Sequence, residues 1–317
     1  MRYILILVLC IGSLYAKGLI APTYSYKIKH GVVSDVVLKK SKLYVATDAG
    51  SVYIFNTKTK EVIDTINLNK IKDFMDEKID SKIFSIDIKK GKLLILSQDN
   101  GGYSRLQLYS NKKLSSLITQ KDKMNIVKAK YLDKDTVLMA FVSNDIVSYN
   151  IVNRKINWDT QASMSRFSDF AVDKKIDEVT VGDESGDVHI LSTKSGKVVK
   201  VLTGQNVDNI FSIDFKNNMV LTGGQDRRIA VFNLMSNQAY HKNSSFFVYG
   251  VGLSPSGKIA AYTYDENNNI ALFHTMNGDN MGKYQGNGKV ISNIKFIDEK
   301  HFFINSAENT VSFYTIK

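Results

Sequence analysis

A closed ring of about seven four-stranded antiparallel sheets, an all-β propeller, is the fold predicted by three features of this 317-residue chain. Apolar and polar residues alternate with period two, and helical spacing is nearly absent. Short runs of this kind succeed one another in groups of four, separated by Gly, Asn, Asp and Lys turns. The groups recur about every 40 residues, the length of a propeller blade.

The unit openings come first. Ser34-Asp35-Val36-Val37-Leu38, Phe84-Ser85-Ile86-Asp87-Ile88, Phe167-Ser168-Asp169-Phe170-Ala171, Phe211-Ser212-Ile213-Asp214-Phe215 and Ile291-Ser292-Asn293-Ile294-Lys295-Phe296 share one pattern. Ile126 to Tyr131 and Val248 to Leu253 are diverged versions, which brings the units to seven. Each opening leads through a turn to a second strand such as Lys92 to Leu96 or Met219 to Thr222. A third follows, such as Ser51 to Phe55 or Ile229 to Phe232, and then a fourth, such as Val62 to Ile66 or Val198 to Leu202. The seventh unit ends at Lys317 after three strands, whereas Thr23 to Lys29 is a strand without a unit. The N-terminal strand is therefore expected to complete the last blade, which removes an open sheet edge and ties the termini together.

Before that strand, Arg2, the apolar run Ile4 to Ile11 and Gly12-Ser13-Leu14-Tyr15-Ala16 have the layout of a secretory signal cleaved after Ala16. A spanning helix needs about 20 apolar residues, so an uncleaved anchor is the weaker reading. Lipidation at Cys10 is disfavoured by the large Leu9 before it. Residues 1–16 are thus expected to be removed, and 17–317 to form a single propeller with no integral membrane segment. Cys10 is the only cysteine, so the mature chain has no disulfide, which suits export into an oxidising compartment. The expected location is the bacterial periplasm.

The formal net charge of +11 comes mostly from lysines set singly or in pairs at turns, as in Lys39-Lys40 and Lys89-Lys90. Solvated lysines of this kind protect strand ends. No run of five basic residues occurs, and an exported chain is not expected to meet nucleic acid.

Chemical motifs are missing: Cys-x-x-Cys-His, His-Glu-x-x-His, Gly-x-Ser-x-Gly, a P-loop and Gly-x-Gly-x-x-Gly do not occur. His30, His189, His241, His274 and His301 fall in different units and are expected at the surface or at strand ends. Asp183 to Asp187 and Asp265 to Asn269 are oxygen-rich but lack the length and terminal Glu of a calcium loop. No catalytic, cofactor or metal residue is assigned. A channel site assembled from several blades stays open as an alternative, with Asp or Glu pointing into the channel as its first sign.

The segment from Asn69 to Lys82 lengthens the first interval. Ile71, Phe74, Met75 and Ile79 fall there at helical spacing, predicting a short amphipathic helix on the loop face that either docks a partner or covers its own blade. Trp158, in the fourth strand of unit three, is expected to pack between blades.

Gly223-Gly224-Gln225-Asp226-Arg227-Arg228-Ile229-Ala230-Val231-Phe232-Asn233-Leu234 resembles the turn and third strand of a WD40 repeat, with Phe232-Asn233 where Trp-Asp usually stands. Gly182 to Leu191 is a looser version. The Gly-His signature of that family is absent, which puts its buried hydrogen-bond tetrad in question, while Asp226 could still brace its own turn. In overall pattern and size the chain resembles the accessory propeller proteins of periplasmic nitrate reductase systems, the NapL type. That resemblance implies a non-catalytic role in maturation or activity of the molybdenum enzyme, through contacts with one of its subunits or a precursor. A monomer is expected separately, because a closed propeller has no intrinsic need to pair. Ile71, Phe74, Met75, Arg227 and Arg228 are the candidate contact residues. The alternatives are a general periplasmic scaffold or envelope-assembly propeller, and a channel-site enzyme such as a metal-dependent hydrolase or quinone-cofactor dehydrogenase.

Overall fold

Seven four-stranded antiparallel sheets follow one another around a central channel in the computed structural model, which describes residues 18–173 and 177–317. The expected signal, with its cleavage after Ala16, lies outside the described residues. The innermost strands of blades 1 to 7 are Val33–Lys39, Ile83–Lys89, Ile126–Tyr131, Phe167–Val172, Ile210–Lys216, Val251–Leu253 and Ile291–Phe296. The first six blades are simple meanders, each strand pairing with its sequence neighbour. Blade 7 is completed from the other end of the chain: Tyr24–Lys27 pairs with Thr310–Thr315, in register from Tyr24 opposite Phe313 to Lys27 opposite Thr310. The chain is a seven-bladed propeller closed by its N-terminal strand, as its repeat pattern predicts.

The core is distributed rather than central. Seven apolar clusters each fill the gap between two neighbouring blades. Middle strands are therefore covered on both faces, and their sequences are unbroken apolar runs such as Leu93 to Leu96 and Val137 to Ala140, all buried. Fourth strands face solvent on one side, which is why Lys155–Gln161 and Val198–Leu202 are mostly exposed. Trp158 packs in the cluster between blades 3 and 4, and its indole N–H donates to the Thr193 carbonyl at 2.9 Å.

The expected helix in the first interval is instead a two-stranded hairpin, Ile71–Lys72 with Lys78–Ile79. The Asp73 carboxylate accepts from the backbone N–H groups of Met75 at 2.8 Å and Glu77 at 3.0 Å, drawing off donors that a helix would use. Asp76 has φ +63°, which stops a helix, and so short a helix would be marginal in any case.

Candidate functional site

In a four-stranded meander the connections alternate between the two ends of the sheet. Blade-to-blade links and second-to-third-strand turns thus share one end of the ring, here called the loop face, and the inner strands run from it toward the opposite end. Two places have the composition of a site: the channel and the loop face.

In the channel, acids stand at the third or fifth residue of four inner strands, Asp35 and Asp169 at the strand's bulge and Asp87 and Asp214 two residues beyond it. Each carboxylate accepts the N–H of its own next residue and reaches the inner strand of the next blade. Asp35 takes Ile86 N at 2.9 Å, Asp87 takes Tyr131 N at 2.9 Å, Asp169 takes Ile213 N at 3.2 Å and Asp214 takes Leu253 N at 2.9 Å. Blade 6 has Gly252 instead, and a Cβ there would stand 2.4 Å from the Ile294 carbonyl oxygen, so blades 6 and 7 meet by backbone approach.

Blades 3 and 7 contribute lysines. Lys130 Nζ lies 2.6 Å from Asp35 Oδ2 and 2.7 Å from the Ile86 carbonyl, while Lys295 Nζ lies 2.6 Å from Asp35 Oδ1 and 2.5 Å from the Val36 carbonyl. Lys128 pairs with Asp169 and lies over the Phe170 ring. Burial alone would raise the Asp35 pKa, but the two lysines outweigh it and hold the carboxyl well below its usual range. Burial works the other way on Lys130 and is overcome by Asp35 and Asp87, so its pKa rises. Lys295 is pushed down to about 8, because burial and repulsion from Lys130 and Lys128 exceed the attraction of Asp35. A cavity of about 550 Å³ borders these groups.

Acids do line the channel, the feature expected of a channel enzyme. Among the described residues, however, no three His, Cys, Asp or Glu side chains converge in a metal-holding group. What the geometry shows directly is bracing of one blade against the next.

A second set of polar groups braces the turns of the loop face. In blade 5, Asp226 accepts from Arg228 N at 3.0 Å and Val207 N at 2.9 Å. Asn206 donates to Asp226 at 3.1 Å and accepts from Thr222 Oγ1 at 2.5 Å. Asn206 thus anchors a buried network despite the missing Gly-His pair. In blade 4, Asp183 accepts from Ser163 at 2.6 Å and lies 3.1 Å from His189 Nε2. Burial raises the Asp183 pKa, yet the hydrogen bonds from His189, Ser163 and Ser185 prevail and hold it at about 2. His189 is buried inside a strand, contrary to the expectation of a surface or strand-end histidine, because Asp183 supplies its partner. Asp226→Ala is expected to cost about 1–3 kcal/mol, read from urea denaturation, since it orphans two backbone donors and leaves the Asn206 amide only the Arg228 carbonyl at 3.4 Å. A loss below about 0.5 kcal/mol would reduce this network to surface decoration.

The loop face also exposes apolar side chains. Phe74 and Met75 at the hairpin tip are 92% and 69% exposed, Met164 in the link from blade 3 to blade 4 is 90% exposed, and Val207 in the next link is 61% exposed. Beside blade 5, half-buried Phe211, Phe246, Phe247 and Tyr249 form an aromatic cluster, with Phe211 and Tyr249 stacked at 5.2 Å.

Of the five predicted contact residues, Phe74, Met75 and Arg227 stand on this face. Arg227 has φ +64°, as a turn residue, and its guanidinium lies 5.9 Å from the centre of the Phe247 ring. The other two are structural. Ile71 is buried, and Arg228 is half-buried, donating to the Gln205 carbonyl at 3.0 Å. The aromatic cluster was missed because Val248 and Tyr249 continue the apolar pattern of the strand that starts only at Val251. The channel network left a trace in the repeated Ser-Asp and Ser-x-Asp of the openings.

These features define a seven-bladed β-propeller with a charge-braced channel and an apolar, aromatic loop face. No family model matches the chain, and no curated protein matches it. Among the described residues no helix is long and apolar enough to cross a membrane.

Proposed function

We propose that this protein is a non-catalytic, exported accessory propeller that acts as a monomer through protein contacts on its loop face. We further propose that its partner is a periplasmic nitrate reductase subunit or the precursor of one. The observation that carries the first part is the exposure of Phe74, Met75 and Met164 at loop tips on a rigid ring. Large apolar side chains held out on short, anchored loops gain free energy when a partner covers them, and a closed propeller loses little freedom on presenting them. The choice of partner rests on the resemblance in size, pattern and signal to the nitrate reductase accessory propellers.

Affinity capture of the tagged protein from periplasmic extract of its native cells tests both parts. The expected result is recovery of the nitrate reductase catalytic subunit, reduced at least about tenfold by Phe74→Asp together with Met164→Asp. These exposed substitutions are expected to change stability by no more than about 0.5 kcal/mol. An eluate dominated by outer-membrane proteins would replace the partner with an envelope-assembly machinery. Undiminished capture by the double variant would move the interface off the loop face.

A further inference from the structure

The Lys295 amine stands where a neutral nitrogen is well accommodated. Its two polar neighbours, Asp35 Oδ1 at 2.6 Å and the Val36 carbonyl at 2.5 Å, are both acceptors, so the two N–H bonds of an uncharged amine are used and the lone pair is left over. Asp35 does not depend on the Lys295 charge alone, because Lys130 and the N–H groups of Val36 and Ile86 also bind it. Lys130 and Lys128 stand near enough to disfavour a third cation. Desolvation and neighbouring cations are the two ways in which proteins make a lysine nucleophilic.

Lys295 keeps 35% of its side-chain surface exposed and lines the 550 Å³ cavity together with Val36, Phe170, Leu253, Pro255 and Phe296. The cavity that Lys295 lines is thus partly apolar, with Asp87, Asp169 and Lys128 among its charged walls, and large enough for a small ring or alkyl chain. We propose that Lys295 captures small aldehydes or ketones with an apolar body in the channel, as a reversible imine. The nitrogen lone pair adds to the carbonyl carbon and one N–H proton passes through solvent to the oxygen, giving a carbinolamine. Loss of water, with uptake of one proton from solvent, gives the iminium ion. Its single N–H then faces Asp35, whose carboxylate stabilises the new cation as it did the ammonium. Hydrolysis reverses each step, so the site binds its ligand without consuming it.

Labelling of the purified protein with dilute benzaldehyde and cyanoborohydride at pH 7.5 tests the proposal. The borohydride supplies the hydride that fixes the imine as a secondary amine, and peptide mass spectrometry ranks the lysines by rate. At this pH the neutral fraction of Lys295 exceeds that of an ordinary lysine by about 200-fold, and its lower basicity takes back most of that advantage, leaving about tenfold. Lys295 is expected to label about that much faster than exposed lysines such as Lys58 and Lys194, with the chain's α-amine as an internal standard. A rate at or below that of those lysines would overturn the proposal. Lys128→Met, which removes one neighbouring cation and leaves the Asp35 pairs in place, is expected to slow Lys295 labelling several-fold. A labelling rate that stays the same in this variant would show that the channel cluster does not activate the amine, and would also overturn the proposal.

Discussion

Asp35→Ala is expected to lower the unfolding free energy by about 3–5 kcal/mol, the cost of breaking a buried ion pair from one side. Asp35 is 6% exposed and makes four hydrogen bonds, to Val36 N, Ile86 N, Lys130 and Lys295, which between them join blades 1, 2, 3 and 7. Alanine leaves two backbone donors without acceptors and two ammonium groups without their carboxylate. Lys295, the more exposed of the two lysines, recovers part of its loss from channel water, so most of the cost falls on Lys130. Two controls separate charge from shape. Asp35→Asn keeps an acceptor and is expected to cost less, and adding Lys130→Met to the alanine variant should recover part of the loss by removing the stranded cation. The folded carboxyl is more acidic than the unfolded one, whose pKa is near 3.8, so its stabilisation is complete above that value and is lost as the pH falls below it. The gap between wild type and variant in urea denaturation should therefore be full near neutrality, begin to narrow only below about pH 4, and still be largely present at about pH 3, where the folded carboxyl stays ionised. A gap below about 1 kcal/mol at pH 7 would mean that blade packing alone holds the ring.

The legibility of this chain follows from the range over which each interaction acts. Strand positions were readable because period-two alternation is local: Val198–Leu202 and Ile126–Tyr131 fall where the pattern puts them. Closure by the N-terminal strand was readable because three strands at one end and a stray strand at the other have one economical solution. The hairpin at Ile71 was misjudged because apolar spacing does not register the Asp73 side chain competing for backbone donors. Ile71 and Arg228 illustrate a related limit, since an apolar or charged residue in a loop gives no sign of whether it faces solvent or its own blade. The Asp35 cluster was beyond reach, as its lysines lie 95 and 260 residues away and meet it only once the ring has closed. Nor could the four aromatics beside blade 5 be grouped, because Phe211 belongs to one blade and Phe246, Phe247 and Tyr249 to the link into the next.

Tyr26→Ala is expected to cost about 3–5 kcal/mol and to weaken the whole ring rather than one strand. Tyr26 belongs to the N-terminal strand of blade 7, but its ring lies edge-on at 5.3 Å from Phe55 in blade 1 and 6.0 Å from Phe303 in blade 7. It fills the joint at which the two ends of the chain meet. Neighbouring Tyr24 adds a further edge contact at 4.9 Å, and Ile28 is buried in the same cluster. Truncating Tyr26 leaves a cavity at this joint and removes aromatic pairs worth roughly 0.5–1.5 kcal/mol each beyond their buried area. Two mechanisms then make different predictions. If the strand is only an added edge, the variant frays locally: amides of Tyr24 to Lys27 exchange faster and the global midpoint is unchanged. If the strand is the clasp of the ring, blade 7 loses its covered edge and the gap to blade 1 opens, so the urea midpoint falls while the transition stays cooperative with the same denaturant slope. The burial of Tyr26 between two blades favours the clasp. Tyr26→Phe, which keeps the ring, is expected to lose less than about 1.5 kcal/mol. Fast exchange confined to residues 24–27 with an unchanged midpoint would show that the six meander blades and the three C-terminal strands hold the propeller without its closure.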